Sequence, residues 1–327
     1  MLTPERFAAL LGRPPAEVPP EARVRIDVRL PTHRQLLLDY QVAPGERVQA
    51  LLLLPLRPAG PLPGILAIHP DGQGRPYALG KSEPAGAAGD PELAYGRELC
   101  QRGYAVLCPD RFPFESRSLE RSRFAATFAG FRLFARDGEG AELDLTEDLY
   151  AGCLANRLLF EGRTMLGSAL FELRRAVDVL AGRPEVDPAR IGVIGHSAGG
   201  FYGALTMFLD ARIRVGAASC ASACLRWIYA GPELRPITGL GALVPPGLGP
   251  AGDMDDILAG LAPRPYLETV GDAGEGDAGF LETHARARAR YAELDVAERY
   301  EAVAYGAGHI FRRDMRERSY AWFRRWL

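Results

Sequence analysis

Lysine is almost absent from this chain. It occurs once, at Lys81, although lysine and arginine together number 39. Positive charge is therefore carried by arginine, and 41 acidic residues balance it to a net charge of −2. No block of like charge is long, which excludes a nucleic-acid-binding arm and a polybasic membrane patch. The densest basic run, "ARARAR" (285–290), alternates with alanine and reads as a solvated helix face. Cysteine is also scarce: Cys100, Cys108, Cys153, Cys220 and Cys224 make an odd count, which argues against a disulfide framework. "CASAC" lacks a second cysteine pair and a nearby histidine, so a metal site there is not expected, and small buried thiols are the simpler reading.

Long apolar runs are missing as well. The longest, "ALLLLPL" (50–56), falls far short of the ~20 residues that span a bilayer. "MLTPERFAALLGRPP" has neither the charged start nor the apolar stretch of a secretory signal, so the expectation is a soluble, cytoplasmic protein. None of the five histidines falls in metal-ligand spacing, and neither metal nor cofactor is expected.

What the chain does have is length and alternation. Its 327 residues, 47% hydrophobic, suffice for a large core. Residues 1–20 read as a short helix and a proline-rich connector, followed by a single domain over 21–327. "HRQLLLDYQV" and "RVQALLLLPL" flank the turn "APGE" and predict a hairpin. "GILAIH" is a short continuous apolar run of the buried-strand type. Helices and strands then alternate through "YAVLCPD", "RIGVIG", "IRVGAAS", "RPYLETVG" and "RYEAVAY" to a last helix, "IFRRDMRERSYAWFRRWL". Such alternation implies a mostly parallel sheet of about eight strands, with helices on both faces and an antiparallel N-terminal edge. Two stretches break the rhythm: 111–166, which carries several phenylalanines and reads as a small helical cap, and 220–252, rich in glycine and proline.

The chemistry centres on "IGVIGHSAGGF". A strand precedes "GHSAG" and a helix follows it, which is the context the G-x-S-x-G motif requires. The turn is so tight that positions two before and two after the serine nearly touch, hence Gly195 and Gly199. Ser197 is the expected nucleophile, held in a strained conformation at a helix N-terminus. A serine hydroxyl needs a base, and "YGAGHIF" offers His309 on the loop after the last strand. The orienting carboxylate belongs on the loop after the preceding strand, where "VGDAGEGDAGF" offers Asp272, Glu275 and Asp277. Asp277, deeper in the loop, is favoured; Asp272, close to the strand end where a turn or cap role is natural, is the second candidate. For the oxyanion, the Ala198 N–H is one donor. The second should come from "HPDGQG": Pro70 has no N–H, so Asp71 is the choice and Gly72 the reserve. The Asp71 carboxylate must then point away from the oxyanion. His69 reads as a brace for that loop, His196 as packing at the turn, and His33 and His284 as surface residues.

The chain resembles the α/β-hydrolase superfamily, and within it the dienelactone hydrolase-like and acetyl-xylan-esterase-like bacterial hydrolases. The resemblance runs from about residue 36 to the C-terminus and is carried by "ILAIH", "GKSEPAG", "RGYAVLCPDRFPFESR", "GRTMLG", "FELRRAVDVLAGRPEVDPARIGVIGHSAGG", "PRPYLETVG" and "GAGHIF". It implies the α/β-hydrolase fold and a Ser-His-Asp esterase that cleaves a small or medium carboxylic ester through an acyl-enzyme. "GEGDAGF" is similar to the family's G-x-x-D-x-x-F segment, which supports Asp277. Ser197 stands where true dienelactone hydrolases have cysteine, which argues against a dienelactone substrate. Pro70 stands where many relatives have glutamine or glycine. Lys81, in "GKSEPAG", reads as a loop anchor paired with an acid. Phenylalanines of 111–166 are expected to line part of the pocket. The implied partner is a small-molecule ester, with no nucleic acid and no membrane; both a monomer and a homodimer fit. Rival readings are a peptidase or amidase with the same triad and a non-catalytic binding module.

Overall fold

The computed structural model describes residues 2–58, 60–71, 76–136, 140, 142–229 and 244–327. Strands β1 (Arg23–Arg29), β2 (Arg34–Ala43), β3 (Glu46–Leu54), β4 (Leu62–Ile68) and β5 (Ala105–Pro109) come first. A short hairpin, β6 (Phe134–Arg136) and β7 (Glu142–Asp144), precedes β8 (Val186–His196), β9 (Ile213–Ser219), β10 (Tyr266–Val270) and β11 (Tyr300–Ala304). The helices are α1 (Pro4–Leu10), α2 (Tyr95–Gln101), α3 (Ala125–Phe128), α4 (Thr146–Phe160), α5 (Met165–Ala181), α6 (Ala198–Leu209), α7 (Leu225–Tyr229), α8 (Leu248–Ala251), α9 (Met254–Gly260), α10 (Ala278–Glu293) and α11 (Arg313–Trp326).

All strands but the β6–β7 hairpin join a nine-stranded sheet in the order β1-β2-β3-β5-β4-β8-β9-β10-β11. The segment from β5 to β11 is parallel, and β1 to β3 form the antiparallel edge. The strand beyond the expected eight or so is β1, "RVRIDVR". Every one of its residues is exposed, so it lacks the buried face that the other strands of the sheet have.

Central strands are apolar throughout because both faces are covered. Leu66 and Ile68 of β4 join a core beneath α1, α5, α6, α9 and α10; Ile65 and Ala67 join the opposite core beneath α2 and α11. The parallel register sets Ile68 beside Gly195, His196 beside Ser219, Ser219 beside Thr269 and Val270 beside Ala304. The loops that follow β4, β8, β9, β10 and β11 therefore emerge along one edge of the sheet, where ligands bind in open parallel sheets.

Segment 111–166 holds α3, the β6–β7 hairpin and α4, so it is a mixed insertion rather than a purely helical cap. Phe112, Phe124 and Phe128 close on the Tyr150 ring at 5.4, 6.2 and 5.6 Å. Residues 230–243 of the second irregular stretch lie outside the described residues. Among the described residues, no helix is long and apolar enough to cross a membrane.

Candidate active site

β8 ends at His196 and α6 begins at Ala198, so Ser197 is the whole turn between them. Its φ of 53° and ψ of −127° are strained for a residue with a side chain. Two backbone hydrogen bonds over-determine that geometry. Its N–H donates to Ser219 at 2.7 Å, and its carbonyl accepts the Phe201 N–H at 3.0 Å. The glycines are steric requirements: a Cβ on Gly195 would collide with the Gly199 backbone, and one on Gly199 with the Ile68 and His69 carbonyls. The turn thus rests directly on the end of β4.

Ser197 Oγ and His309 Nε2 are 2.8 Å apart, and His309 Nδ1 and Asp272 Oδ2 are 3.0 Å apart. This order fixes the roles: the imidazole donates from Nδ1 to the carboxylate and accepts the serine hydroxyl at Nε2. The hydrogen bond from His309 holds the Asp272 carboxyl below its ordinary value. Both side chains are open to solvent, 44% and 47% exposed.

Asp277, the expected orienting carboxylate, is not brought to the histidine. It is the N-cap of α10, where its carboxylate accepts the Phe280 N–H at 2.8 Å. The reason lies in the backbone. Tyr305 N–H donates to Val270 at 2.8 Å and Gly306 N–H to Ala273 at 3.0 Å, and Ala307 N–H bonds Gly271. These bonds lay residues 270–273 against the histidine loop and leave Asp277 at the start of the next helix. Glu275 is exposed.

Ala198 is the first residue of α6, so its N–H has no partner within the helix, and the residue lines the cleft beside Ser197. Asp71 lines the same cleft, and Gly72 lies outside the described residues. The Asp71 carboxylate accepts from Arg111 at 2.6 Å. Arg111 is buried, also donates to the His69 carbonyl at 3.1 Å, and lies over the Phe114 and Tyr202 rings. His69 braces the loop with both nitrogens. Its Nε2 accepts the Arg111 N–H at 3.0 Å, and its Nδ1 donates to the Pro70 carbonyl at 2.7 Å. Burial and the Arg111 charge keep His69 neutral. Burial, with a smaller contribution from the neighbouring His309 ring, takes His196 down to about 3.

Lys81 is a loop anchor: its Nζ donates to Asp110 at 2.8 Å and to Glu115 at 2.6 Å, with 5% of its side chain exposed. His33 and His284 are not surface residues, for both are buried, His33 against Thr32 and His284 with its Nδ1 2.8 Å from the Tyr300 hydroxyl. Of the thiols, Cys153 is exposed and Cys220 partly exposed. The cleft encloses about 1910 Å³. Among the phenylalanines of the insertion only Phe114 reaches it, because the others pack on Tyr150 or face solvent; Arg121, Arg132, Glu142 and Asp144 line it instead.

Two residues near the site, Arg111 and Glu268, went unread in the sequence, and a third, Cys220, was read only as a small buried thiol. Arg111 was visible only as the first residue past the strand "YAVLCPD". Glu268 was visible as a lone charge inside the apolar strand "YLETV". Its buried carboxylate holds the loop after β9, accepting the Ala221 and Ser222 N–H groups at 3.0 and 2.7 Å. Cys220 lies with Asp272 and His309, and one ligand atom from each falls within 4.8 Å of the others. Spacing along the chain could not reveal that cluster, because its members come from three different loops.

No protein-family model matches the chain. It is 28% identical over 295 residues to "Putative hydrolase YtaP" of Bacillus subtilis (strain 168), a match that covers 89% of this chain and 87% of that protein. Among solved structures, a "putative acetyl xylan esterase" from Bacteroides fragilis NCTC 9343 superposes with a TM-score of 0.68 at 19% identity, over 93% of this chain and 76% of that one. A glucuronoyl esterase from Solibacter usitatus superposes with a TM-score of 0.63 at 15% identity, over 98% of this chain and 91% of that one. The chain has the α/β-hydrolase fold.

Proposed function

We propose that this α/β-hydrolase-fold chain is a serine esterase that cleaves carboxylic esters through an acyl-enzyme. The observation that carries the proposal is the unbroken relay Ser197–His309–Asp272, at 2.8 and 3.0 Å. His309 Nε2 takes the Ser197 proton as Oγ attacks the ester carbonyl, and Asp272 stabilises the imidazolium that forms. The Ala198 N–H, together with the Asp71 N–H, stabilises the tetrahedral oxyanion. His309 then protonates the departing alkoxide, which leaves as the alcohol. A water molecule, deprotonated by the same nitrogen, attacks the acyl carbonyl and returns Ser197 and the free acid.

Arg111 keeps the site electrostatically correct. By pairing with the Asp71 carboxylate it holds that anion away from the position where negative charge develops. The cleft, at about 1910 Å³, exceeds the 300–1,000 Å³ of an ordinary small-molecule pocket. Its lining mixes charged side chains such as Arg121, Arg132, Glu142 and Asp144, which can meet the hydroxyls of a polar alcohol part, with apolar ones such as Leu119, Phe201 and Ile310; a polar alcohol part is in keeping with structural neighbours named as acetyl xylan and glucuronoyl esterases. The test compares wild type with Ser197→Ala on p-nitrophenyl acetate, p-nitrophenyl butyrate and an acetylated sugar. Hydrolysis by wild type alone is expected; equal rates in both proteins, or faster turnover of an aminoacyl anilide than of any ester, would overturn the reading.

A further inference from the structure

At the end of β9 the chain accepts backbone strain and sets a thiol beside the triad. Cys220 has a φ of 50°, a left-handed conformation that costs a side-chain-bearing residue about 1 kcal/mol or more. Its N–H donates to Thr269 at 2.9 Å, and its Sγ accepts the Gly271 N–H at 3.2 Å. The sulfur also lies 3.6 Å from the Ile310 carbonyl oxygen and 3.7 Å from Ser219 Oγ. It is thereby wedged between the loop that carries Asp272 and the loop that carries His309. Both Cys220 and His309 line the cleft, so the cluster can be reached from solvent.

Thiolate, imidazole and carboxylate together are a donor set for borderline-soft divalent ions. A tetrahedral zinc ion holds its ligands at about 2.0–2.3 Å, so donor atoms must converge somewhat from their 4.8 Å span. Asp272 and His309 have room to turn, being 47% and 44% exposed. The fourth position is left to water.

We propose that Cys220, Asp272 and His309 form an inhibitory site for a thiophilic divalent cation, zinc or cadmium, which captures the triad by chelation. The inhibitory consequence rests on the serine-hydrolase reading; the binding site does not. No electron is transferred. The Cys220 thiol releases its proton to solvent, and the sulfur, an Asp272 oxygen and His309 Nδ1 each donate a lone pair to the ion. The hydrogen on Nδ1 leaves to solvent and Nε2 takes one up, so the neutral ring now carries its hydrogen at Nε2. That nitrogen then has no lone pair for the Ser197 proton, and the nucleophile is left unactivated.

The experiment titrates cadmium into the reduced, chelator-treated full chain and follows the ultraviolet thiolate-to-cadmium charge-transfer band. One equivalent should bind in wild type, in Ser197→Ala and in Cys153→Ser, the exposed-thiol control. The band should vanish in Cys220→Ser, and the affinity should fall in His309→Ala. In parallel, zinc should slow p-nitrophenyl acetate turnover by wild type, and a chelator should restore it. Cys220→Ser, compared with its own metal-free rate, should need at least about 10- to 100-fold more zinc, the scale on which losing even an outer partner weakens a metal site. A band that survives Cys220→Ser or disappears with Cys153→Ser, or equal zinc sensitivity in Cys220→Ser and wild type, would overturn the site. Absence of ester hydrolysis would overturn the hydrolase reading instead, with the cadmium titration still deciding the site.

Discussion

Asp272 accepts the Nδ1 hydrogen of His309 at 3.0 Å, while Asp277, on the same loop, caps α10. The two carboxylates therefore have separable effects. Asp272→Asn should lower kcat by about 10³- to 10⁴-fold, because the amide no longer favours the productive tautomer. Asp277→Ala should leave kcat/KM near wild type and cost about 1 kcal/mol of stability, the value of a lost N-cap. Kinetics and urea denaturation of both variants check this, and the reverse pattern would return the role to Asp277.

Arg111 and Asp71 should be coupled in catalysis. Arg111→Met frees the Asp71 carboxylate beside the oxyanion site, and kcat should fall about 10- to 100-fold, less than the 10²–10³ of losing an oxyanion donor outright. Adding Asp71→Asn removes that anion and should restore part of the loss. If the two losses simply multiply in a double-mutant cycle, the electrostatic account is wrong.

Gly199 tests the steric claim. A methyl there meets the Ile68 and His69 carbonyls, which are backbone and cannot swing away. Gly199→Ala should cost about 1–3 kcal/mol, the scale of overpacking, and displace Ser197. Urea midpoints that match wild type would contradict the packing described.

Glu83 sets a pH-dependent stability. It is buried, and its Oε2 lacks a partner among the described residues. Burial raises its carboxyl from 4.5 to about 7. The folded state therefore holds a proton that the unfolded chain has released, so stability from this group falls as pH rises from about 4.5 to about 7 and is level beyond that. Glu83→Gln should raise Tm more at pH 8 than at pH 5. An equal shift at both, or a larger one at pH 5, would contradict that assignment.

The sequence was informative where local geometry dictates residue type. Ser197, Gly195 and Gly199 were legible because a strand–turn–helix junction this tight admits no side chain at either flanking position. His309 was legible from its place after the last strand. The choice between Asp272 and Asp277 was not, because both follow β10 and the selection is made by backbone bonds to residues 305–307, far along the chain. His284 looked like surface because it lies in an arginine-rich helix, yet its ring faces inward to Tyr300. β1 was missed although its valines and isoleucine alternate with charged residues, the period-two pattern of a strand; in the fold even the apolar side of that alternation is exposed.

The central claim is that His309 and Asp272 activate Ser197 for covalent chemistry. Intact-mass measurement of labelling by a fluorophosphonate tests it without assuming a substrate. The account predicts one phosphonyl group per chain, mapped to Ser197, with labelling slowed at least about 10³-fold in His309→Ala, the scale of losing a triad member. An unlabelled wild type, an adduct on another residue, or an unchanged rate in His309→Ala would contradict it.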